Sequence, residues 1–165
     1  MIFVTVGTST YFPGFPRLVA WMDDWARRHP DEEVVIQMSN NPEPAPHAAR
    51  TFDQAPLAEI EALTRQARWT VSHAGAGSIL TCRALRAPTI IVPRLAEHGE
   101  ALDDHQLDLA RLLGEQGRIH VAYDQESLER LLATDPAAIP EPPEAPLVAH
   151  LRDRITEIAR PDADR

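Results

Sequence analysis

The feature that most constrains this sequence is a repeated switch of hydrophobic period, from short apolar, β-branched runs to stretches with apolar side chains every third or fourth position. Ile2 to Val6 is the first run; it ends in Gly7-Thr8-Ser9-Thr10, as a buried strand entering a tight turn does. Phe15, Leu18, Val19, Met22 and Ala26 then recur at helical spacing, with Pro16 suited to a first turn and Pro30 beyond the end. The alternation continues through a strand at Glu33 to Met38 and a short one at Arg50 to Phe52. Ser39 to His47, with three prolines and two asparagines, cannot extend the former. Leu57, Ile60, Leu63 and Ala67 mark the next helix, followed by a strand at Trp69 to Ser72, a glycine-rich turn, and a helix at Ser78 to Arg86. Strands at Thr89 to Val92 and Arg118 to Ala122 alternate with helices at Asp103 to Glu115 and Gln125 to Ala133. Such βα repetition predicts one α/β, Rossmann-like domain, a parallel sheet with helices on both faces. It should span residues 1–134. A proline-rich linker at 135–146 and an amphipathic helix at 147–160, carrying Leu147, Leu151, Ile155 and Ile158, follow. That last helix has two roles open to it: packing on its own domain or docking on a partner.

A length of 165 residues suits a single core. No apolar run approaches the roughly 18 to 20 residues needed to cross a bilayer. The first residues show no basic leader, so the expectation is a cytoplasmic chain without a signal peptide. The lone cysteine, Cys82, agrees with a reducing compartment and reads as a small buried hydrophobe. A net charge of -9 without any Lys/Arg block argues against a nucleic-acid binder or an unaided sensor of anionic membranes. Membrane attachment would have to come through a partner.

In a doubly wound sheet of strand order 3-2-1-4-5-6, a ligand sits where the order reverses, between the carboxyl ends of strands one and four. The two turns there are Gly7-Thr8-Ser9-Thr10 and His73-Ala74-Gly75-Ala76-Gly77-Ser78. Both are small and hydroxyl-rich, and the second opens a helix whose first N–H groups and dipole favour an anion such as a diphosphate. Ser78 is placed to cap that helix or to donate to a phosphate. A purely structural turn would use the same glycines. Neither G-x-G-x-x-G nor G-x-x-x-x-G-K-[ST] occurs, which removes the usual dinucleotide and P-loop readings.

Taken in order, VTVGTS, VVIQ, Val71-Ser72-His73-Ala74-Gly75-Ala76-Gly77-Ser78, Ile91-Val92-Pro93-Arg94, and Glu100 followed by Asp103-Asp104-His105-Gln106-Leu107-Asp108-Leu109-Ala110 resemble the C-terminal domain of glycosyltransferase family 28. The resemblance covers most of residues 1–122. It is strongest to short subunits of two-component transferases, eukaryotic ones making dolichol-linked chitobiose and bacterial ones of exopolysaccharide and capsule synthesis. It implies the C-terminal half of a GT-B fold. It further implies a donor-binding subunit that holds a UDP-sugar, while a membrane-associated subunit supplies the acceptor, a polyprenyl-diphosphate-linked glycan. The reaction would be an inverting, metal-independent hexosyl or hexuronosyl transfer, with no cofactor besides the UDP-sugar substrate.

Carried over by position, the resemblance sets Gly75, Ala76, Gly77 and Ser78 against the donor diphosphate, beside Gly7 and Thr8. It sets His105 and Gln106 on the sugar hydroxyls, and Phe52-Asp53 near the uracil. His73 is a candidate for assisting the leaving group, or a histidine fixed in a turn. Arg94 suits a donor carboxylate or phosphate, or else a surface ion pair with Glu97 or Glu100. At Thr81 the family commonly has a ribose-binding glutamate, so Glu97 or Glu100 would have to replace it. Ser39-Asn40-Asn41 departs from a glycine-containing turn. Asp103-Asp104 reads as helix-start acids rather than a metal site. Two other readings stay open: a non-catalytic enhancer of a self-sufficient transferase, and a stand-alone homodimeric transferase.

Overall fold

The computed structural model describes residues 1–7, 14–39 and 49–138. Six parallel strands form one sheet: β1 (Ile2–Thr5), β2 (Val34–Gln37), β3 (Arg50–Phe52), β4 (Trp69–His73), β5 (Thr89–Val92) and β6 (His120–Val121), in the order β3-β2-β1-β4-β5-β6. This is the expected doubly wound order. The helices between them are α1 (Pro16–Arg28), α2 (Leu57–Gln66), α3 (Ala76–Ala84), α4 (His105–Glu115) and α5 (Gln125–Leu132).

Strand side chains alternate between two apolar layers, and both layers are covered. On one face Ile2, Val4, Ile36, Val71, Ile90 and Val92 pack against Leu18 and Met22 of α1 and Leu128 and Leu132 of α5. The opposite face divides in two. Phe3 and Val35 lie under Ile60 and Leu63 of α2, and Ile91 lies under Ile79 of α3 with Ala110 and Leu113 of α4. Each fully buried Ile, Leu or Met contributes about 1.5–3 kcal/mol of transfer free energy. The fold is therefore held by continuous apolar strands rather than by surface pairs.

Both boundaries of α3 differ from the sequence reading, and one matters for the site. The helix expected from Ser78 begins at Ala76, with Gly75 as its N-cap, so Ser78 is inside the first turn and caps nothing. Two glycines so close together read as turn because glycine is a poor helix former. The helix ends at Ala84, two residues early, because Leu85 closes it and Arg86 turns at φ 50°. The helix expected at 147–160, Thr8, most of the linker and Asn40-Asn41 lie outside the described residues.

Candidate functional site

β1 and β4 are neighbours in register, Thr5 opposite Ser72, so the chain leaves both strands side by side at the carboxyl edge, where the strand order reverses. The backbone turns at Gly7 with φ 80°, a conformation that costs any residue with a Cβ. Thr5 supports the turn: its hydroxyl accepts weakly from Gly7 N at 3.4 Å and donates to Gln37 Oε1 at 2.6 Å.

The His73 ring lies between the two turns. A Cβ built on Gly7 would fall 2.5 Å from His73 Cε1, and one on Gly75 would fall 2.4 Å from His73 Nε2. Only hydrogen fits at either position, so the glycines let both backbones close on one imidazole. Nδ1 of that ring is buried with no hydrogen-bond partner among the described residues. Burial, aided by the nearby Arg94 cation, pushes the His73 pKa down to about 4. At neutral pH the ring is uncharged, so what it can offer an anion is a single neutral N–H.

Beside it α3 opens without any side-chain cap. The first intrahelical bond runs from Ile79 N to Gly75 O at 3.0 Å, and the N–H groups of Ala76, Gly77 and Ser78 donate to no described residue. Gly77 is exposed and nothing lies within 4 Å of a Cβ placed there. Three unspent amides at the positive end of a helix form an electropositive site without a charged side chain. Thr81 adds nothing to it, because its hydroxyl donates to Gly77 O at 3.0 Å, within its own helix.

The β5–α4 connection behaves in the opposite way, with Arg94 and Glu100 buried and bonded within the protein rather than on the surface. Arg94 is only 3% exposed. Its guanidinium donates to Val6 O at 2.7 Å, to Glu100 O at 3.1 Å and to Gly14 O, and stacks 5.1 Å over Phe15. It is not a surface ion pair: its guanidinium is spent on carbonyls at both ends of the segment between Val6 and Gly14. Glu100, 2% exposed, accepts from Leu95 N at 3.1 Å and from Arg17 at 2.8 and 3.1 Å. That carboxylate is spent within the protein, whereas Glu97 is exposed, with Oε1 3.8 Å from His98 Nε2.

His105 stands exposed at the start of α4, and its Nδ1 and backbone N meet the Asp103 carboxylate. Those contacts hold the Asp103 carboxyl below its usual range. Asp104 accepts from Ala96 N at 3.0 Å, so the two acids serve the loop, as helix-start acids do. Gln106 is buried, with Oε1 accepting from Arg94 N at 3.3 Å. Phe52 ends β3, two strands from β1, and stacks on Phe3 at 6.4 Å between ring centroids. Its carbonyl and that of Asp53 already accept from Met38 N and Ser39 N, at 2.8 and 3.0 Å.

The structure thus brings Gly7, His73 and Gly75–Ser78 together at one point and groups Arg94, Glu100 and Gln106 behind it, with Phe52 and His105 to either side. Sequence reasoning missed Arg17, which stacks 4.7 Å over Trp21, pairs with Glu100 and donates to Pro93 O at 2.9 Å. It also missed the Thr5–Gln37 bond, although a glutamine closing an otherwise apolar strand was a visible signal.

The strand order and the uncapped helix start at its switch point define a doubly wound α/β domain, the class in which ligands sit at the carboxyl edge of the sheet. The chain belongs to the family of the glycosyltransferase family 28 C-terminal domain, whose sequence profile matches residues 1–139. It is 36% identical over 75 residues to the UDP-N-acetylglucosamine transferase subunit ALG13 of Cryptococcus neoformans var. neoformans serotype D, in strains JEC21 and B-3501A. That match covers 44% of this chain and 36% of the relative, so the likeness spans about a third of the relative's length. Among solved structures, the glycosyltransferase SnogD from Streptomyces nogalater superposes with TM-score 0.54 at 20% identity, over 96% of this chain and 43% of its own. The glycotransferase of kitacinnamycin does so with TM-score 0.57 at 19% identity, over 82% of this chain and 35% of its own. These superpositions show the fold, one half of a GT-B architecture. Among the described residues no helix is long and apolar enough to cross a membrane.

Proposed function

We propose that this chain is the donor-binding subunit of a UDP-sugar-dependent glycosyltransferase. The observation that carries the reading is the N-terminus of α3, where the amides of Ala76, Gly77 and Ser78 are unspent beside the turn at Gly7. A diphosphate seated there would receive backbone N–H donors and the helix dipole, which stabilise charge building on the leaving group without any reorganisation. Neutral His73 would contribute one N–H to the same group. His105, with the Nε2 end of Gln106, would face the sugar hydroxyls, and the Phe52 end of β3 would lie under the uracil.

Finer features follow from the family. The relative ALG13 is a transferase subunit by description, and by that likeness a second polypeptide would supply the acceptor half, the general base and any membrane contact. The transfer would be inverting and would need no metal. A hexose or hexuronic acid would move to a polyprenyl-diphosphate-linked acceptor during bacterial polysaccharide synthesis, at the cytoplasmic face of the membrane.

One observation favours a second reading. Thr81 stands where the family commonly has a ribose-binding glutamate, and its hydroxyl is turned into its own helix. A subunit that stabilises a self-sufficient transferase would tolerate that loss. Isothermal titration of the chain with UDP and a panel of UDP-sugars separates the two. Saturable binding that Gly77→Asp weakens supports the donor site; absence of binding by the chain and by its complex leaves the enhancer.

A further inference from the structure

Arg17 is the second residue of α1, directly after Pro16, and no acidic side chain stands in that first turn. A cation there meets the positive end of the helix dipole; the basic residues that suit the dipole, Arg27 and Arg28, are in the last turn. A residue that breaks a local rule in this way is held by tertiary contacts, and such residues gather at functional sites. The guanidinium of Arg17 grips the Glu100 carboxylate with both Nε and Nη2, at 3.1 and 2.8 Å, and Nη2 also donates to Pro93 O at 2.9 Å. Its Cζ stands 4.7 Å from the ring centroid of Trp21 and 5.3 Å from that of Phe15.

We infer that Arg17 is a positioning residue for the donor site, acting through Glu100 and Arg94; the inference rests on the donor-site reading given above. Glu100 passes the constraint on in two ways. Its carboxylate accepts from Leu95 N at 3.1 Å, which closes the loop after β5, and its carbonyl accepts from the Arg94 guanidinium at 3.1 Å. Arg94 donates in turn to Val6 O at 2.7 Å, one residue before the Gly7 turn, and its backbone N donates to Gln106 Oε1 at 3.3 Å, at the start of α4. Arg17 therefore ties the first turn of α1 both to the turn at Gly7 and to Gln106, the two places between which a diphosphate and its sugar would lie. A bidentate arginine–carboxylate pair fixes orientation as well as distance, which a point charge does not.

Calorimetric titration of the full chain with UDP, well below the melting temperature and beside thermal melts of the same samples, tests this. Arg17→Met should weaken UDP binding about tenfold. Arg17→Lys, which keeps the cation but loses the fork, should recover part of that loss. Removing Arg17 alone strands a buried carboxylate, so the melt of Arg17→Met falls as well. The double variant Arg17→Met, Glu100→Gln strands no charge: it should melt closer to the wild type yet bind UDP as weakly as Arg17→Met, and it carries the comparison if the single variant does not fold. Affinity within about twofold of the wild type in folded Arg17→Met, or affinity in the double variant that recovers together with its melt, would overturn the inference and leave the donor site standing. Absence of UDP binding by the wild-type chain would overturn the donor-site reading and this inference with it.

Discussion

The β4–α3 turn and the β5–α4 connection meet the same edge of the sheet, yet they dispose of their polar groups in opposite ways. At the first, among the described residues, no charged side chain is present and three backbone amides are left unspent. At the second, an arginine and a glutamate are present and both are consumed by the protein itself. A buried charge must be paired or desolvation makes it costly, so charged residues behind a site brace it. Helix amides need no such pairing, since water or a ligand satisfies them, and the proposed anion site can therefore be made of small residues.

The contrast breaks most visibly at Arg94. Arg94→Ala would strip hydrogen bonds from three carbonyls and open a cavity beside Phe15, costing about 3–5 kcal/mol. In a domain of this size that lowers the melting temperature by roughly 6–20 °C, measurable by calorimetry. A ligand residue on an open surface would lose affinity instead and leave the melt in place.

Next in size is the pH dependence of His73. The unfolded imidazole takes up a proton near its ordinary 6.5, whereas the folded one waits until about 4. The folded pKa is depressed, so the unfolded chain binds more protons between these values. Stability is then full above about pH 6.5 and declines as pH falls toward 4, by as much as about 3 kcal/mol. Denaturant midpoints taken through that window should fall for the wild-type chain and flatten for His73→Gln.

Gly75→Ala sharpens the picture of a ring held between two turns. The added methyl meets His73 Nε2 at 2.4 Å while Gly7 closes the other side, so a loss of about 1–3 kcal/mol is expected. Placing His73→Ala in the same molecule should recover part of it, and a double-mutant cycle reads the coupling. Additive effects would mean that the turns do not share the ring. The smallest stability change belongs to Gly77→Asp, within about 0.5 kcal/mol because the position is open. Its nucleotide affinity should still fall about tenfold or more, as a carboxylate takes the helix mouth.

How much of this was legible beforehand follows from how local each signal is. The strands came from short apolar runs, the helices from a period of 3.6 residues and the strand order from the repeated βα pattern, and Val34–Gln37 or Leu57–Gln66 needed nothing beyond their own sequence. The helix start at Ala76 was misplaced because Gly75 and Gly77 look like turn, and packing of Ile79 and Cys82 overrode their propensity. Arg94 and Glu100 were read as ligands because their fate is decided by residues far along the chain. Arg17 lies 83 positions from Glu100, and Val6 lies 88 from Arg94. Charge in a sequence marks importance without telling bracing from binding.

The central claim is that the unspent amides of α3 receive a nucleotide's diphosphate. Backbone amide NMR of the ¹⁵N-labelled chain titrated with UDP tests it most directly. Saturable shifts centred on Gly7 and Gly75 to Ser78, and absent in Gly77→Asp, are the predicted result. Shifts centred elsewhere, or none at saturating UDP in a folded chain, would contradict it.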